Sequence, residues 1–339
     1  MKAAVLRDFK EPLAIADVAQ PTPAADEVLI AVEACGVCHS DLHLADGDWP
    51  QLVPITKRPL ILGHEIAGRV VEKGASVNSL KLGDRVGVPW LHWSCGECEF
   101  CREDNENLCI KQKITGVTVD GGYAEFVKAP ATHVVLIPDA LSNLDAAPLF
   151  CAGVTVYRAL RHAEIQPGQR IAVFGVGGLG HLAVQIAKDL GAIVTAIDVS
   201  GEKLAHAASL GASATLNATT LNVVKELRRA GGAHVALVTS ASRAAYDTAF
   251  KCVRPTGILL VVGLPSESIC FAPISMAASE IRIQASSVGT REDLRGVLAM
   301  AAAGKLRCQV AARPLAQANE VLAELRKGAV AGRIVLTPH

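Results

Sequence analysis

The sequence predicts an α/β protein in which a doubly wound parallel sheet is joined to a β-rich domain. Three observations carry this expectation. From about residue 170, short apolar runs alternate with helical patterns. A glycine-rich turn separates the first of those runs from the helix that follows it. Before residue 150, short alternating stretches are punctuated by Gly and Pro.

In the first part, Val28, Ile30 and Val32 alternate with Leu29 and Ala31, and the Gly-bounded pieces 65–71 and 84–88 look similar. Such spacing suits a compact β-rich domain with functional loops. The pattern changes near residue 150. After Pro167-Gly168 the run 171–174 is long enough only for a buried strand. The following helix should carry Leu179, Leu182, Ala183, Ile186 and Leu190 on one face, with Gly191 stopping it in a left-handed turn. A second strand, 193–197, ends at Asp198. Ser200 can cap the next helix, and Gly211 ends it. Further strands are expected at 214–216, 235–238, 258–262 and 281–285, making six. From about residue 287 the chain holds two helical patterns and a closing strand, 333–336.

The composition narrows the function. The 339 residues suit two domains. Lys plus Arg and Asp plus Glu are both 33, and no dense basic run occurs, which argues against a nucleic-acid binder. Aromatics make up only 4%, so the cores must be aliphatic. No apolar run approaches the ~20 residues of a membrane span. Arg7, Asp8, Lys10 and Glu11 interrupt any signal-peptide core, so a cytoplasmic location is expected. Ten cysteines in a reducing compartment then point to metal.

Gly175-Val176-Gly177-Gly178-Leu179-Gly180 fits G-x-G-x-x-G between a strand and a helix. Gly175 permits the tight turn, Gly177 lets backbone approach a pyrophosphate, and Gly180 lets helix and sheet pack closely. Free N–H groups at the helix start then receive the phosphates. Asp198, eighteen residues after Gly180, would accept from adenosine ribose hydroxyls and repel a 2′-phosphate, favouring NAD over NADP. The plainer reading is a turn with an unrelated aspartate. Arg333 is either a second phosphate contact or a solvated residue beside a strand.

Two groups of residues suggest zinc. Cys95, Cys98, Cys101 and Cys109 place four thiols within fifteen residues, which would close a tetrahedral sphere and make a structural site. Glu97, Glu99, Glu103, Asp104 and Glu106 crowd the same loop, so it is no nucleic-acid ribbon. Cys38, His64 and Cys151 are dispersed. They could form a Cys₂His catalytic site with an open position, or each could be an ordinary core residue. Cys35, Cys252, Cys270 and Cys308 read as small core residues.

As a set, these residues resemble the zinc-dependent alcohol dehydrogenases of the medium-chain dehydrogenase/reductase superfamily, nearest to the bacterial and yeast-like tetrameric branch. The resemblance spans the chain. It rests on Gly36-Val37-Cys38-His39-Ser40-Asp41-Leu42-His43, Gly63-His64-Glu65, the four-cysteine loop, Cys151-Ala152-Gly153-Val154-Thr155 and the glycine motif. It implies a GroES-like catalytic domain at 1–151, a Rossmann NAD-binding domain at 152–286, and a segment at 287–339 returning to the catalytic domain.

The resemblance further implies that Cys38, His64 and Cys151 bind the catalytic zinc, with Glu65 able to approach it and Asp41 orienting His64 from behind. Ser40 and His43 match a proton relay that includes the nicotinamide ribose. His39, Thr155, Lys203 and Arg333, with the glycine turn and Asp198, match cofactor-binding positions. Trp49 and Trp90 match pocket walls or are packing aromatics. Asp104 departs from the glycine frequent at its position. The implied activity is reversible oxidation of primary or secondary alcohols to aldehydes or ketones, with NAD, two zinc ions per chain and a homotetramer. Competing readings are a polyol dehydrogenase, a zinc-free quinone reductase relative, and a non-catalytic nucleotide-binding redox sensor.

Overall fold

The computed structural model describes residues 1–338. The chain forms two compact units: Met1–Val154 together with the chain from Val288 onward, and Thr155–Ser287.

The unit Thr155–Ser287 holds a six-stranded parallel sheet. Its order across the sheet is Ala214–Asn217, Ile193–Asp198, Arg170–Phe174, Ala233–Val238, Val253–Val261, Arg282–Ala285. Chain order reverses between the third and fourth of these, which is the switch point of a doubly wound sheet, where ligands bind beyond the strand ends. The central strands are buried on both faces, which explains why they read as unbroken apolar runs. Ser200, Asn222 and Ser242 each cap a helix by accepting from a backbone N–H three residues on. Gly191 and Gly211 adopt φ of 79° and 106°, as their helix-ending roles require.

All six expected strands are present, with shifted ends. The fifth starts at Val253, five residues early, because an irregular register lets the chain pair at Ala233 before it pairs at Val235. Leu179 is corrected: it is half-buried and precedes the helix Gly180–Asp189, since the glycine turn uses it before the helical period begins.

In the other unit, the long strand Glu27–Gly36 pairs antiparallel with Glu65–Lys73, Phe126–Pro130 and Arg333–Thr337. Val310–Pro314 lies outside Arg333–Thr337 at the sheet edge, and Arg85–Val88 and Val135–Leu136 extend the opposite side. The core beneath is aliphatic, built around Leu6, Ile30, Leu62, Ile66 and Ile334, with the fully buried Tyr123. The strand Val310–Pro314 escapes the sequence reading because it is mostly exposed and ends in proline, as edge strands do. Among the remaining cysteines, Cys35 and Cys252 are buried as expected. Cys308 is partly buried, and Cys270 is corrected: it is exposed, with a short apolar run around it that gives no sign of facing outward.

Candidate active site and metal centres

Cys38 is the capping residue just before the helix His39–Asp46, and the strand Glu65–Lys73 begins one residue after His64. Both termini converge with Cys151 on one point. The ligand atoms of Cys38, His64, Glu65 and Cys151 lie within 4.8 Å of one another. The Cys38 and Cys151 sulfurs are 3.9 Å apart, close to the edge of a tetrahedron with ~2.3 Å bonds and far beyond a disulfide. The dispersed cysteines and histidine therefore do meet.

Behind this cluster, Asp41 is wholly buried and fully engaged. His64 Nδ1 lies 3.0 Å from Oδ1, which also accepts from Gly63 N–H. The Cys38 N–H and the Tyr123 hydroxyl each donate to Oδ2 at 2.9 Å. A carboxylate can only accept, so His64 carries its proton on Nδ1 and turns Nε2 to the sulfurs. His64 Nε2 and Glu65 Oε2 are both buried with no hydrogen-bond partner. Unsatisfied buried groups of this kind call for a ligand.

The electrostatics agree. A hydrogen bond from Cys151, with His64 and Arg333 nearby, holds the Cys38 thiol well below its ordinary value in spite of burial. Burial opposes charge on His64, and Asp41 with Cys38 outweighs it, lifting the imidazole well above its usual value. Burial pushes Glu65 up to about 7 against the pull of Arg333. The hydrogen bond to Cys38 and burial hold the Cys151 thiol well above its ordinary value, so the two thiols are pushed in opposite directions. It is the donor set of two sulfurs and an imidazole that fits zinc. Gly36 makes room for it: a Cβ there would sit 1.8 Å from Glu65 Oε2.

The four-cysteine loop forms a second cluster, with its sulfurs also within 4.8 Å of one another. Neighbouring sulfurs approach to 3.5, 3.6 and 3.9 Å. Backbone N–H groups of Glu97 and Cys98 pull Cys95 down to about 6, ready to ligate as a thiolate. Asp104 takes φ of 57°, a left-handed geometry that Asp tolerates better than most residues. Four thiols within one loop fit a closed structural zinc.

Both ends of this loop are tied down by residues that the sequence reading passed over. Ser94 N–H donates to His133 Nε2 at 2.9 Å. Glu106 accepts from Arg291 N–H and Nε, both at 2.9 Å, and Arg291 also donates to the Thr132 carbonyl at 2.6 Å. Glu106 had shown only as one acid among several, and its partner lies 185 residues away. Tyr123 was missed for a similar reason: a lone tyrosine after two glycines shows nothing of what it reaches.

Other expected residues divide between the units. Ser40 Oγ lies 3.6 Å from Cys38 Sγ. Trp90 meets His64 edge-on with ring centroids 4.9 Å apart, whereas Trp49 stacks on His43. His39 opens its helix, exposed. Arg333 is no solvated surface residue: it is buried and pairs with Glu65. In the parallel-sheet unit, Gly175 takes φ of 92°, and a Cβ on Gly180 would sit 1.9 Å from the Gly175 carbonyl. A Cβ on Gly177 would meet only open space, leaving bare backbone for a ligand to approach. Asp198 accepts from Val176 N–H at 2.6 Å and from Val199 and Ser200, pinning its carboxylate to the glycine turn. Lys203 lies in the first turn of the next helix, and Thr155 is buried in Ala152–His162.

A dinucleotide-type sheet, a Cys₂His cluster with a nearby carboxylate and a four-cysteine loop together define a zinc-binding dehydrogenase. Residues 24–139 match the alcohol dehydrogenase GroES-like domain, and residues 178–303 match the zinc-binding dehydrogenase family. An alcohol dehydrogenase of Geobacillus stearothermophilus is 46% identical over 337 residues, covering 99% of both chains. The crystal structure of the alcohol dehydrogenase from Aeropyrum pernix superposes with a TM-score of 0.92 at 37% identity, over the whole of both chains. Acetophenone reductase from Geotrichum candidum, solved with NAD, gives 0.91 at 32% identity, over 99% of this chain and 96% of that one. The chain belongs to the zinc-dependent alcohol dehydrogenases of the medium-chain dehydrogenase/reductase superfamily.

Proposed function

We propose that this chain reversibly oxidises primary or secondary alcohols to aldehydes or ketones, transferring hydride to NAD at the Cys38–His64–Cys151 centre. The observation that carries this reading is the convergence of those three ligand atoms with an unpartnered His64 Nε2. When bound, zinc supplies Lewis acidity toward the substrate oxygen and NAD supplies the hydride acceptor.

The protein's own residues do the rest. Asp41 holds His64 in one tautomer, and Arg333 neutralises Glu65 beside the thiols. Ser40, beside Cys38, would accept the alcohol proton at Oγ while passing its own through the nicotinamide ribose hydroxyl to His43, which releases it toward solvent. Trp90 and Trp49 shape the apolar approach. Gly175, Gly177, Gly178, Leu179 and Gly180 receive the pyrophosphate, Asp198 the adenosine ribose, and His39, Thr155, Lys203 and Arg333 complete the cofactor contacts.

Segments 1–151, 152–286 and 287–339 would serve as catalytic domain, NAD-binding domain and returning segment. We further propose a cytoplasmic homotetramer. All ten cysteines are free, which suits a reducing compartment, and no helix among the described residues is long and apolar enough to cross a membrane. The edge strand Arg282–Ala285 and the helix Pro273–Ser279 expose Ile283 and Ile274, apolar surface suited to a second copy.

The test is the initial rate of NADH formation from a panel of primary, secondary and benzylic alcohols, with NADP run beside NAD. A robust NAD-linked rate supports the reading. No alcohol-dependent rate in zinc-replete protein overturns it in favour of a nucleotide-binding sensor.

A further inference from the structure

His43 is held by the two residues that follow its helix. The helix His39–Asp46 ends at Gly47, whose φ of 67° turns the chain back. The Asp48 N–H then donates to the His43 carbonyl at 2.9 Å. That return brings Asp48 Oδ2 within 3.1 Å of His43 Nδ1. It also lays Trp49 on the imidazole, with centroids 4.9 Å apart and planes 29° apart. The Trp49 carbonyl accepts from Leu52 and Val53, which fixes the turn. Asp46, the other nearby acid, accepts at both oxygens from one guanidinium nitrogen of Arg326, at 2.7 and 3.0 Å, and does not compete for the ring. His43 is therefore gripped at one nitrogen and across one face.

A carboxylate accepts hydrogen bonds and cannot donate them, so the Asp48 contact requires a proton on Nδ1. In the neutral ring, Nε2 is then the only basic nitrogen. We propose that Asp48 is a positioning residue for the reaction: it fixes the His43 proton on Nδ1 so that Nε2 is presented as the proton acceptor. On accepting a proton at Nε2, the ring becomes an imidazolium beside the Asp48 carboxylate, and it returns that proton to water. This inference rests on the reading of His43 as the outer base for the alcohol proton.

The test uses zinc-loaded enzyme labelled with [15N]histidine, with the His43 signals identified by their loss in His43→Gln. The wild-type ring shows a protonated Nδ1 and a bare Nε2. In Asp48→Ala the balance moves to the Nε2–H tautomer. The single-turnover rate of NADH formation then falls about tenfold, a fraction of what a whole general base contributes, while NAD affinity changes little. Asp48→Asn keeps an accepting oxygen, so it retains the Nδ1–H signal and most of the rate. An Nδ1–H signal that persists in Asp48→Ala overturns the proposal, whatever the rate does. A switched tautomer with an unchanged single-turnover rate instead overturns His43 as the base, and with it any part for Asp48 in the reaction.

Discussion

One Asp41 oxygen lies 3.0 Å from His64 Nδ1, while the other receives the Tyr123 hydroxyl at 2.9 Å. A single buried carboxylate thus aims a metal ligand and anchors the core beside it. Asp41→Asn keeps the size and loses acceptor capacity, so one of its donors is orphaned. Catalytic-zinc affinity should fall about 10- to 100-fold, as when an outer-sphere partner is lost. Competition with a chelator measures this. Unchanged affinity would leave Asp41 a packing residue only.

The two clusters should be separable. Cys38→Ala is expected to hold one zinc per chain in place of two and to lose activity. Cys98→Ala should lose the other zinc, with a lowered melting temperature as the main effect. Metal analysis beside thermal melting reads both. A Cys38→Ala protein that keeps full activity would refute the ligand assignment.

Ser40 is expected to act through its hydroxyl. Ser40→Ala should reduce the single-turnover rate by about 100-fold, at the lower end of proton-transfer effects. Ser40→Thr keeps the hydroxyl and should cost little. Equal losses in the two variants would mean that the position matters for packing and not for proton transfer.

Asp198 sets the cofactor preference in this reading. Its replacement by glycine removes a charge that would face a 2′-phosphate, and like-charge contacts of that kind cost several kcal/mol. The ratio of kcat/KM for NADP over NAD should rise by at least about tenfold. Because Asp198 also accepts three backbone N–H groups, some stability should be lost with it. An unchanged ratio would locate the discrimination elsewhere.

Acid should weaken the catalytic unit before its carboxylates are neutralised. Burial lowers His92 and His133 to about 4 from an ordinary 6.5. The unfolded chain therefore takes up protons that the folded chain refuses. Their contribution is complete above pH 6.5 and is lost as pH falls toward 4, by on the order of 3 kcal/mol for each histidine. Denaturant titrations across this window should show the decline. His133→Asn should be less stable at neutral pH and show a shallower decline. An identical slope would remove His133 from the account.

Features with a local signature were readable in the sequence. The glycine turn needs its residues in order along one stretch, and the structural cysteines fall within one loop. The parallel strands announce themselves because burial on both faces demands unbroken apolar runs. Partners met across the fold left no such trace. Tyr123 reaches Asp41 over 82 residues, and Arg291 reaches Glu106 over 185. The sequence shows each as an ordinary polar residue. Cys38, His64 and Cys151 stand between these cases: spacing alone left them open, and family resemblance joined them before the geometry did.

The placement of Arg333–Thr337 bears on how the protein is made. This strand lies between Val310–Pro314 and Glu27–Gly36, and its first residue pairs with Glu65. During synthesis on the ribosome, the sheet that carries His64 cannot close until residues beyond 333 have emerged. Thr155–Ser287 is one uninterrupted stretch and has everything it needs much sooner. The usual order, in which N-terminal parts fold first, is inverted here. The half-built catalytic sheet, with thiols able to bind metal prematurely, must wait through the translation of more than half the chain.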